Sequence, residues 1–174
     1  MSRARNALIE VIQFIPIISF ALPFIAAGEV DLSAAGTAFY IAAALAVAVI
    51  GGLAARGVQQ NPILVGSGAW LVLGALGFAV VSPLEALISQ TQAASLFAVI
   101  LIVGVGATAA TRGGFVGMPD AEPAVVRKGS IVMVVLAAAA LGWAYVAQDI
   151  RLGGGLPFIL LNVIRRVLSR QLGG

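Results

Sequence analysis

Residues Arg112–Gly129 read RGGFVGMPDAEPAVVRKG, and no other run of comparable length in the chain is so poorly suited to lipid. The stretch carries Arg112, Arg127 and Lys128 beside Asp120 and Glu122, and it is broken by Pro119, Pro123 and four glycines. Long apolar segments flank it on both sides. That arrangement predicts the main water-facing loop of a polytopic membrane protein, with the other elements arranged around it. Phe115, Val116 and Met118 are apolar residues that a plain solvated loop does not need, so the loop is expected to fold back onto the bundle or onto a partner.

Composition agrees with a bilayer protein. The 174 residues are 61% hydrophobic and 10% charged, with mean hydropathy +1.09, against roughly 25% charged residues in soluble chains. At about 20 residues per crossing plus connections, one integral membrane domain over residues 1–174 accounts for the length. The formal charge is +3, but the basic residues are scattered at segment ends without a basic face or aromatic interleaving, which argues against a nucleic-acid partner. Neither cysteine nor histidine occurs. Disulfides, Cys-ligated zinc, iron–sulfur clusters and His-ligated haem or copper are therefore excluded, and no cofactor is expected.

The apolar segments fall at about 7–27, 34–55, 62–81, 93–111, 130–147 and 152–168, with the loop at 112–129. The first begins after MSRARN, with Asn6 as a candidate N-cap. It contains Glu10, Pro16 and Pro23 and lacks a clean cleavage site, so it reads as a retained helix rather than a signal peptide. A short acidic turn with Glu29 and Asp31 follows. Ser82, Pro83 and Glu85 have the spacing of a capping box at the start of a helix that leads into the fourth segment. Trp143 and Tyr145 sit where an aromatic belt is expected. The apolar run Leu156–Ile164 is short for a crossing, and charge placement decides its assignment. With a cytoplasmic amino terminus and six crossings, nine of the ten basic residues lie inside and only Arg151 outside. The expected fold is thus an all-α polytopic membrane bundle of six segments. The alternative is five spans followed by a C-terminal interfacial amphipathic helix, since Asn162, Arg165, Arg166 and Arg170 can share a face.

Candidate functional residues are few. Glu10 is the sole acid within an apolar segment, and such acids are candidate proton or cation sites. It also lies four residues past Asn6, about 6 Å along a helix, within reach of the interface and of Arg3 or Arg5. Gln13 and Pro16 continue its stripe, and Asn162 completes a candidate polar membrane site. Gly68, Gly74, Gly77, Gly104, Gly106, Ala110 and Gly142 permit close helix packing, within the bundle or against a partner. Arg112, Arg127, Lys128, Arg165, Arg166 and Arg170 are candidate topology anchors or lipid-headgroup contacts. No phosphate-cradling glycine motif occurs, Lys128 is the one lysine, and the three aspartates fall in different loops. No catalytic constellation emerges, so no enzymatic activity is expected.

Phe14-Ile15-Pro16-Ile17, the alanine-rich Asp31–Ala44 entered after an acidic turn, and the basic-then-apolar Arg127–Ala147 form a series in order along the chain. In these it resembles the intracellular septation protein A family of small bacterial inner-membrane proteins, whose opening carries Phe-Leu-Pro. That family's Gly-Gly-Leu-Thr and Trp-Val-Asn-Phe-Lys motifs are absent, with Gly153–Phe158 and Asn162 in the corresponding area. The resemblance implies a non-enzymatic role in envelope synthesis or division through partner proteins. From the residues alone, two readings follow. One is a protein acting through helix–helix contacts with other membrane proteins or itself, as an envelope or division factor or an accessory subunit of a larger complex in the bacterial inner membrane. The other is a small transporter or channel component with a polar path along the first helix.

Overall fold

A computed structural model describes residues 3–27, 32–148 and 150–172. The acidic turn with Glu29 and Asp31 falls outside the described residues, as does Asp149. The fold is all-α: α1 Arg3–Ala27, α2 Leu32–Ala55, α3 Pro62–Val80, α4 Ser82–Thr91, α5 Ala93–Ala110, α6 Pro123–Ala147, a π-helical turn Ile150–Gly155 and α7 Leu156–Leu172. Among the described residues five helices are long and apolar enough to cross a membrane: α2, α3, α5, α6 and the last, counted over Leu152–Leu172. Within α1, Leu8–Phe24 is an apolar helical stretch. The last gains length because the Gly153–Gly155 run continues as a helical turn instead of breaking off.

Four boundaries differ from expectation. α1 starts at Arg3, so Asn6 lies inside the helix. The Val81 carbonyl accepts the Leu84 and Glu85 amides at 2.8 and 3.1 Å, which puts Ser82 and Pro83 in the first turn of α4 and leaves no capping box. α4 is also a separate ten-residue helix, divided from α5 by Gln92 in a left-handed conformation (φ 44°). The largest difference is α6, which begins seven residues before the expected 130. Pro123 occupies its first turn, where a missing amide costs nothing. The loop shrinks to 111–122, and Arg127 and Lys128 stand on a helix.

The chain forms two compact units, Met1–Ile88 and Ser89–Gly174. In the first, α2 packs against both α1 and α3. Its inner face carries Ala35, Ala38, Ala42 and Ala46, all buried at helical spacing, so neighbouring backbones approach closely. Into the space left by these alanines project Phe20 and Phe24 of α1, Phe39 of α2, and Trp70 and Phe78 of α3. Phe20 lies 4.6 Å from Phe39 and 5.1 Å from Trp70, centroid to centroid. Such tilted and edge-on pairs add about 0.5–1.5 kcal/mol each beyond buried area.

In the second unit α6 packs against α5 and α7. Phe97, Ile100, Met133 and Ala137 are fully buried in its core. α7 runs antiparallel to α6: Gly153 faces Ala144 and Ala147 at one end, and Leu172 faces Gly129 at the other. The exposed Trp143 donates its indole N–H to the Leu152 carbonyl at 2.9 Å, which ties the π-helical turn to the end of α6.

Candidate functional site

The 111–122 loop is tucked into its own unit. Thr111 ends α5, and the amides of Gly117 and Met118 both bond the Gly113 carbonyl at 2.9 Å, closing a tight turn. Gly114 (φ 58°) and Gly117 (φ 77°) hold left-handed conformations that residues with a Cβ adopt at a cost of about 1–2 kcal/mol. This turn aims Phe115 inward. Its ring lies against Gly104, where a Cβ would overlap it. Gly104 is seven residues before Thr111, so the ring reaches about 10 Å below the end of α5 at 1.5 Å per residue. Phe115 and Val116 are fully buried, and Val116 packs with Met118, Val126, Leu168 and Leu172. The Val116 amide donates to the hydroxyl of buried Ser130 at 3.4 Å. Irregular backbone at membrane depth survives only where protein or water satisfies it, and here the turn bonds and Ser130 supply partners while Leu168 and Leu172 of α7 cover the loop. The fold-back expected from Phe115, Val116 and Met118 is present.

The basic residues do not form one class. Arg112, Arg127, Lys128, Arg166 and Arg170 are exposed. Arg165 is buried at 9% exposure, on the inner face of α7 with Pro157, Phe158 and Leu161. The face expected to be shared by Asn162, Arg165, Arg166 and Arg170 is divided: Arg165 is turned inward, whereas Arg166, about 100° round the helix from it, and Arg170 are exposed. Between its fixed ends, the α6–α7 register places Arg165 level with Val135, the middle of α6. It is an interior residue rather than a headgroup contact.

The polar seam of α1 is also structural. Gln13 is 6% exposed, and its side-chain oxygen accepts the Asn61 amide at 3.0 Å. Asn61 caps α3 through its own side chain, which accepts the Ile63 amide at 3.1 Å. Next to it, Gln60 donates its side-chain amide to the Ile50 carbonyl at 2.9 Å. Gln13 is therefore level with the start of α3, and half-buried Glu10, one turn earlier, lies toward that end of the unit rather than at its middle. Asn162 donates to the Phe158 carbonyl of its own helix at 2.9 Å. Sequence reasoning missed Gln60 and Asn61, although Asn61-Pro62 is a recognisable cap-then-proline start.

The small residues divide cleanly. A Cβ at Gly68 would meet Ile50, one at Gly74 the Phe39 ring, and one at Gly77 the Leu84–Glu85 backbone. With Gly104, these four are used for packing inside their units. Gly106 and Gly142 are exposed with nothing within 4 Å of a Cβ, and Ala110 is exposed as well. Among the described residues nothing covers them, so of the two uses expected for the small residues, contact within the bundle is not the one these three serve. Among the described residues no three of His, Cys, Asp and Glu converge as a metal site would require. Comparison with family models, with curated proteins and with solved structures yields no match.

Proposed function

We propose that this chain is an integral membrane protein that acts through helix–helix contacts with another membrane protein and performs no chemistry of its own. The observation that carries the reading is the division among its small residues. Four are filled by neighbouring side chains or backbone, while Gly106, Ala110 and Gly142 present small surfaces outward from α5 and α6. Small residues at a helix surface let a second helix approach closely, which is what drives association where lipid removes the hydrophobic incentive. The resemblance to the intracellular septation protein A family supports a partner in the envelope or division machinery, with the chain in a bacterial inner membrane. The excess of arginine on one side supports a cytoplasmic amino terminus. Transport along α1 is the weaker reading, because the Gln13 oxygen is already engaged in holding Asn61.

The experiment is affinity purification from native membranes in mild detergent, with the intact chain and with Gly106→Leu and Gly142→Leu. A Cβ at either position meets nothing within 4 Å and both positions are exposed, so the fold is expected to persist by circular dichroism. The intact chain is expected to retain a helical membrane protein in stoichiometric amount and the variants to lose it. A solitary intact chain, or undiminished retention by both variants, contradicts the reading.

A further inference from the structure

We propose that the outward stripe Ile159–Val163–Arg166–Arg170 of α7 docks an anionic phospholipid, its phosphate held by the two guanidinium groups and an acyl chain lying along Val163 and Ile159. The four residues follow an i, i+4, i+7, i+11 spacing, which puts them on one face of the helix. Ile159 and Val163 are 63% and 51% exposed, and both arginines are exposed. The opposite face of α7 is occupied by Phe158, Leu161 and Arg165, so the stripe is the outer surface of this unit.

The order along the stripe matches the order along a lipid. Leu172 beside Gly129 and Gly153 beside Ala144 fix α7 antiparallel to α6. By the register that sets Arg165 level with Val135, Arg170 lies nearest the end of the unit that carries Arg112, Arg127 and Lys128, Arg166 lies one turn deeper toward the middle of α6, and the apolar pair lies deeper still. Arg166 and Arg170 are one turn apart, about 6 Å, close enough for two planar forks to share one phosphodiester. Two cations facing one phosphate favour a headgroup with net negative charge over a zwitterion. An acidic protein segment would satisfy the arginines but has no use for the apolar continuation toward Ile159. The proposal is independent of the partner reading and stands or falls without it.

The test uses the full chain in mild detergent, offered phosphatidylglycerol and phosphatidylcholine with identical acyl chains, with retained lipid counted by native mass spectrometry. Phosphatidylglycerol is expected to be preferred about 30-fold, from about fivefold per cation. The double variant Arg166→Gln/Arg170→Gln is expected to abolish that preference. Arg127→Gln/Lys128→Gln removes the same charge from the same end and is expected to leave the preference within about twofold of the intact chain, since its residues lie off the stripe. Circular dichroism and gel filtration report that both variants remain folded. Equal retention of the two lipids by the intact chain overturns the proposal. So does an equal loss from both double variants, which would assign the effect to a diffuse field.

Discussion

The Gln13 side-chain oxygen and the Asn61 backbone amide, 48 residues apart, are joined by a 3.0 Å hydrogen bond in a buried setting. That bond sets the level of α1 against the start of α3, and with it the placement of the aromatic cluster above. Gln13→Leu keeps the volume but leaves a buried amide without its acceptor, at a cost of about 1–3 kcal/mol. Asn61→Ala removes the side-chain cap, at a cost of about 1 kcal/mol. Denaturation in detergent, followed by circular dichroism, is expected to rank the first variant below the second.

Glycine substitutions separate interior from exterior. Gly74→Ala places a methyl group in the Phe39 ring and is expected to destabilise the first unit by about 1–3 kcal/mol through overpacking. Gly142→Ala meets nothing and is expected to be neutral or stabilising by up to about 1 kcal/mol through helix propensity. Equal effects at the two positions would contradict the packing described.

The tucked loop is accessible to cysteine chemistry because the natural chain has no cysteine. Val116→Cys, fully buried, is expected to react with a maleimide at least about tenfold more slowly than Asp120→Cys, since reaction requires local opening. Ser130→Ala removes the acceptor of the Val116 amide and is expected to narrow that gap. Comparable rates in the unmodified background would mean that the loop is not held down.

Arg165 and Arg166 are neighbours in sequence with opposite environments. Arg165→Ala empties part of the α7 inner face and is expected to cost about 2 kcal/mol or more, whereas Arg166→Ala stays within about 0.5 kcal/mol. Detergent melting of the two single variants measures the difference directly.

Much of this architecture was legible in the sequence. Uninterrupted apolar runs between Arg or acidic turns give the helices, and Phe115, Val116 and Met118 in an otherwise polar loop signal its return to the unit. What was not legible depended on direction around a helix or on a single bond. Charge made Arg127 and Lys128 look like loop, although Pro123 had already started α6. Arg165 looked like one member of a basic cluster, and only the Leu161–Arg165–Leu168–Leu172 spacing hints that it faces inward. Gly104 and Gly106 are alike in sequence, and only the position of the Phe115 ring separates the filled one from the open one.

The central claim is that the outward small residues of α5 and α6 receive another membrane protein. Its most direct test places a photo-crosslinking amino acid at Gly142, where a Cβ meets no packed neighbour within 4 Å, and at Val80, 77% exposed, as a control. After irradiation of native membranes, Gly142 is expected to give one discrete protein adduct that Val80 does not give. Lipid adducts alone at Gly142, or the same products at both positions, would contradict the account.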